Sequence, residues 1–148
     1  MKNVLMTALL LMLTTVAVSA AEVTWSQQIK PLVDSRCAGC HGADAPEYPA
    51  FKKEKSAWMA KSIGPRMDTY SHLIYYTGWP DTGALMRRLD DGSGRDDKKP
   101  GNMYQHLGDN DAERQASLAL FKAWVGNWTH KRFDTLTKDD LAGIKITY

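Results

Sequence analysis

The two cysteines of this 148-residue chain fall within five residues, Cys37-Ala38-Gly39-Cys40-His41, with a histidine directly behind them. Residues three apart share a helix face with Cβ atoms about 5 to 6 Å apart, so on one helical turn the two thiols project side by side. Ala38 and Gly39 are small enough to let the backbone pass close to a large flat partner, and Gly42 lets the chain turn away afterwards. Four chemistries use such a pair. A thioredoxin-like redox couple needs a βαβ context, and no alternation of strand and helix surrounds residues 37 to 40. A zinc site needs four ligands in paired clusters, whereas His72, His106 and His130 are scattered singly. A disulfide between Cys37 and Cys40 closes too short a loop to remove much unfolded-state entropy. Covalent attachment of one haem, through two thioethers and with His41 as proximal axial ligand, uses all three residues, and the pentapeptide favours it.

The first twenty residues bear on where such a chain works. Lys2 precedes an apolar run from Val4 to Val18 broken only by Thr7, Thr14 and Thr15, and Val18-Ser19-Ala20 is a small-residue cleavage site. Residues 1–20 are therefore expected to be a secretory signal peptide, leaving 21–148 as the mature chain in the periplasm or otherwise exported. The run is shorter than the roughly 20 residues of a spanning helix and no basic stop-transfer cluster follows, so no stable membrane insertion is expected after cleavage. Cleavage takes Lys2 and no acid from totals of 19 basic and 17 acidic residues, leaving a net charge of +1. Nucleic-acid binding calls for a concentrated basic face. Here Lys52, Lys53 and Lys55 are interrupted by Glu54, and Asp96-Asp97 adjoin Lys98-Lys99, so no nucleic-acid partner is expected. The mature length suits one domain around one haem, with no repeat or linker.

Patterning predicts an all-α fold, since no convincing period-two alternation occurs. Thr24-x-x-Gln27 resembles a capping box opening a helix to Arg36, with Trp25, Ile29, Leu32 and Val33 on one face and a kink or restart at Pro31. Residues 43–49 read as loop and 53–61 as a weak helix. Asp68 or Thr69 is expected to cap a helix ending at Gly78, and Asp81 or Thr82 another through Asp90. Residues 91–101, rich in glycine and charge, read as an exposed loop. Asn110-x-x-Glu113 opens the best-marked helix, carrying Leu118, Phe121, Val125 and Trp128. A tail from about residue 129 follows, with Thr137 capping one or two turns.

An N-terminal helix running into Cys37-x-x-Cys40-His41, intermediate helices, and a strongly amphipathic helix over 111–128 together resemble the monohaem class I c-type cytochromes. The resemblance covers about residues 24 to 128. It implies a haem c held by Cys37 and Cys40, His41 below the iron, a methionine from a loop as sixth ligand, and crossing of the two terminal helices. No Met-Pro dipeptide marks that methionine here, the preceding loop is long, and the tail is additional.

Met59, Met67, Met86 and Met103 are the mature chain's methionines. Met103, in the turn-rich Pro100-Gly101-Asn102-Met103-Tyr104, is the expected sixth ligand, placed shortly before the C-terminal helix as in the family. Met86 has the spacing of core filler. His72 or His106 would instead give bis-histidine ligation. Arg66, Arg87 and Arg88 either pair with haem carboxylates or face water. The resulting expectation is an exported electron carrier serving redox partner proteins. The competing readings are a haem enzyme or gas-binding protein with an open sixth site, and a haem subunit of a larger oxidoreductase complex.

Overall fold

The computed structural model describes residues 21–148, so the expected signal peptide, residues 1–20, lies outside the described residues. Within them the fold is helical, and the β component is one isolated bridge between Gly126 and Ile144. No helix among the described residues is long and apolar enough to cross a membrane.

The chain opens on a π-helical turn, Trp25–Ile29, continuing as α1, Lys30–Arg36. Pro31 at the first turn of α1 is the physical reason for this division, because its missing N–H is harmless where a new helix starts. The wider turn also shifts the cap. Thr24 accepts from the Gln27 N–H at 3.3 Å, but the side chain reaching back to the Thr24 N–H is that of Gln28, at 2.8 Å, and not the expected Gln27. After the short helix α2, Ala38–His41, come α3, Tyr48–Lys53, and α4, Lys55–Ala60. The anticipated helix over 53–61 is found as α4, starting two residues later, while α3 is an additional helix that takes in the end of the anticipated loop because Pro49 sits in its first turn. α5, Tyr70–Ile74, is capped by Thr69 as expected and gives way to turns before Gly78. α6, Ala84–Leu89, has left-handed Gly83 at its N-cap. Thr82 does not cap it, since its hydroxyl is buried and donates back to the Gly78 carbonyl.

A 3₁₀ turn, Tyr104–Leu107, leads to α7, Asp111–Val125, whose Asn110 cap accepts the Glu113 N–H at 3.0 Å. α7 stops short of the predicted Trp128 because Gly126 takes a φ of +79°, which reverses the chain. Its apolar face, Leu118, Phe121, Trp124 and Val125, packs with Trp25, Ile29 and Val33, so the terminal helices share one core with Leu73, Met86, Leu89 and Leu107.

The C-terminal tail is integral to this arrangement. After the 3₁₀ turn Phe133–Thr135 and α8, Lys138–Ala142, which opens on a Thr137–Asp140 capping box, it runs back across both terminal helices. The Trp25 and Ser26 N–H groups, orphaned at a helix start, donate to the Thr147 and Tyr148 carbonyls at 2.9 and 3.0 Å. The Trp124 and Val125 carbonyls, orphaned at a helix end, accept from Ile146 and Lys145 at 3.0 and 2.9 Å. The Trp124 indole donates to Thr147 at 2.7 Å and the Tyr70 hydroxyl to Ile146 at 2.7 Å. Deleting residues 144–148 strands these groups, several of them buried. The six hydrogen bonds lost, at about 0.5 to 1.5 kcal/mol net each, give an expected loss of roughly 3 to 9 kcal/mol of unfolding free energy by denaturant titration.

Candidate functional site

α1 delivers the two thiols. The Cys37 N–H closes the last bond of α1 on Val33 at 2.9 Å, and the His41 N–H donates to the Cys37 carbonyl at 2.9 Å, so the pentapeptide is a helical turn continuing from α1. Both thiols are free, Cys37 half-buried and Cys40 exposed. Burial first, and then neighbouring Cys40, push the Cys37 thiol up to about 11. A thiol so disposed stays protonated at neutral pH, unlike the activated thiolate of a thioredoxin-like pair. Beside Gly39 and Cys40 opens a cleft of about 230 Å³ reaching Ile63, and a Cβ built on Gly39 would meet no atom within 4 Å.

His41 is held from a second segment that sequence reasoning did not single out. Its Nδ1 lies 2.6 Å from the Pro65 carbonyl, so an Nδ1–H donates there and Nε2 keeps its lone pair. The strap carrying Pro65 is pinned to the motif on both sides, by Gly64 N–H to the Cys40 carbonyl and Met67 N–H to the His41 carbonyl, each 2.9 Å. Burial above all, and secondarily the charge of His106, lower the His41 pKa against the opposing Pro65 bond, favouring the neutral, ligating imidazole. Gly64 abuts this ring. A Cβ there would fall 2.1 Å from Cε1 and 2.8 Å from Nε2 of His41. Gly64→Ala is therefore expected to drive the imidazole out of place, and altered Soret and electron paramagnetic resonance spectra of the haem-loaded protein would report it.

Met103 is half-buried at the start of the Tyr104–Leu107 turn, its N–H donating to the Arg88 carbonyl at the end of α6 at 2.9 Å. That turn is tied to the motif. Arg36, the residue before Cys37, pairs with Asp109 at 2.8 Å and Glu113 at 3.0 Å, bringing the segment just after Leu107 to the end of α1. The other methionines are placed differently. Met86 is fully buried within α6, Met59 is 60% exposed, and Met67 packs against the edge of the core. His72 is held by Thr69 at 2.7 Å with Asp68 and Glu47 nearby, whereas His106 is exposed beside Gln105. His130 lies 3.0 Å from buried Asp90.

The arginines considered as carboxylate partners are engaged elsewhere: Arg66 with Asp68, Arg87 with Asp81 and the Lys131 carbonyl, and Arg88 with Asn102. Trp58 offers a donor that the sequence did not flag, a buried indole N–H without an acceptor among the described residues. Tyr48, Tyr75 and Tyr76 pack on one another with ring centroids 4.9 to 5.8 Å apart, and burial pushes the Tyr76 hydroxyl well above its ordinary range. Paired thiols and an oriented imidazole with a free Nε2 form a donor set that could hold a haem through two thioethers and one iron ligand.

A family model described as PccH cytochrome c matches residues 24–148. The solved structure of monoheme cytochrome PccH from Geobacter sulfurreducens is similar at 64% sequence identity, with a TM-score of 0.82 over 86% of this chain and 100% of that one. No curated protein matches.

Proposed function

For a chain that belongs to the PccH cytochrome c family, and so is a monohaem c-type cytochrome with one covalently bound haem c, we propose the role of an exported electron carrier. Cys37 and Cys40 form the thioethers, His41 Nε2 is the proximal ligand and Met103 the sixth. The haem supplies one-electron ferric–ferrous chemistry when bound. The residues do the rest. The Pro65 carbonyl fixes the His41 ring and raises its basicity. The Met103 turn, strapped to α1 through Arg36, keeps a neutral sulfur available where water or a gas would otherwise bind. The Trp58 N–H suits a haem carboxylate. Residues 21–148 are the cytochrome domain, its extension from about 129 included, and residues 1–20 the cleaved signal peptide, so the mature chain begins at Ala21.

The observation that carries the reading is the pairing of an oriented His41 with a methionine turn tied to the same helix end. Carbon monoxide binding to the ferrous protein tests it. A closed Met-ligated carrier binds slowly, limited by release of the sulfur, and gives a one-electron Nernst curve with redox partner proteins or mediators. Rapid binding at the diffusion-controlled encounter would instead identify an open-site haem enzyme or gas binder.

A further inference from the structure

We infer that Asp90 is a positioning residue for the sixth ligand, its buried carboxylate clamping the loop that delivers Met103 onto the C-terminal extension. The inference rests on Met103 ligating the iron. Asp90 is 2% exposed, and a carboxylate is kept in such a place only where donors offset its desolvation. The donors come from different segments. Oδ1 accepts the Gly92 N–H at 2.8 Å, from the outgoing strand of the loop. Oδ2 accepts the Trp128 indole N–H at 2.8 Å and lies 3.0 Å from His130 Nε2, a close approach not aligned as a hydrogen bond, both from the extension. Meanwhile the Asp90 carbonyl accepts the Gly101 N–H at 2.7 Å, from the returning strand. One residue thus fixes both feet of the 91–100 loop.

What hangs from the second foot is Met103, two residues beyond Gly101, whose N–H is bonded to the Arg88 carbonyl, two residues before Asp90 at the end of α6. The fit leaves no slack. A Cβ on Gly101 would fall 2.2 Å from the Arg88 carbonyl oxygen, so the returning strand lies directly on the end of α6. A neutral thioether binds iron weakly compared with imidazole, and its retention depends on the loop staying closed. The loop itself is charged and glycine-rich, with little packing of its own: Arg95 pairs within it with Asp97, and Asp91 binds Ser93 and Gln115. Closure is therefore supplied at its feet, where the extension meets Asp90.

Holoprotein carrying Asp90→Asn, which keeps the size but loses the charge and places an amide donor against existing donors, tests this. Trp128→Phe, which removes one donor and keeps the ring packing, is the milder second variant. Both are expected to weaken the near-infrared methionine–iron band and to speed ferrous carbon monoxide binding, by roughly tenfold for Asp90→Asn, as the loss of one charged hydrogen bond implies. Ile29→Ala, a core truncation in the N-terminal π turn, should lower the melting temperature while leaving band and rate unchanged. If Asp90→Asn and Trp128→Phe behave like Ile29→Ala, the inference is overturned although Met103 remains the ligand. If Met103→Ala leaves the wild-type band and rate unaltered, the ligand assignment itself fails and the inference with it.

Discussion

Replacing Cys37 and Cys40 together by alanine is expected to yield a chain whose intact mass equals that of the bare polypeptide, whose haem, if any, extracts into acid-acetone, and which lacks a cooperative unfolding transition. The wild-type holoprotein should instead exceed its polypeptide mass by one haem and resist extraction. The covalent half of this result follows from thioether chemistry at two free thiols. The folding half follows from the core. Among the described residues thirteen apolar side chains are buried, gathered mainly where the N-terminal helix, α6 and α7 meet, while α3 and α4 bury none fully. Segments that bury so little against protein must cover something else to stay folded. Retention of a cooperative transition in the double variant would show that the polypeptide core suffices alone.

The second large effect is expected at Met103. Met103→Ala should abolish the near-infrared band, lower the reduction potential because a thioether favours ferrous iron, and open a position at which carbon monoxide or cyanide binds quickly. Met86→Ala is the matched comparison. Met86 is fully buried in α6, and removing its side chain should cost about 2 to 5 kcal/mol of stability while the ligand spectrum stays intact. If instead the two variants lose the band in proportion to their loss of stability, Met103 acts through the fold and not through iron. A bis-histidine spectrum unchanged in Met103→Ala would move the sixth position to His106 or His72.

What could be read from the sequence was what is encoded within a few neighbours. The Cys37-x-x-Cys40-His41 turn, the Asn110 and Thr69 caps, and the apolar face of α7 from Leu118 to Val125 depend on residues three or four apart, and they stand where expected. The expectation failed where contacts join distant segments. The His41–Pro65 bond spans twenty-four positions, and the only local trace of it is the turn-forming Gly64-Pro65 pair. The clamp at Asp90 draws its Trp128 donor from 38 residues away. The spacing of Trp128 predicts a place in the last helix, yet Gly126 reverses the chain first and frees the indole to reach Asp90. The tail reads as polar and weakly patterned, and its importance lies in backbone groups that no side-chain pattern reports. Even the misplaced capping partner, Gln28 for Gln27, is a local signal displaced by the wider π turn.

The most direct test of the account is the near-infrared absorption of the oxidised, haem-loaded wild-type protein at neutral pH. Ligation by His41 and Met103 predicts the weak methionine-to-iron band, lost on reduction. A low-spin ferric spectrum without that band, or a high-spin spectrum, would contradict the account, the first replacing the sulfur with a second imidazole and the second leaving the sixth position open.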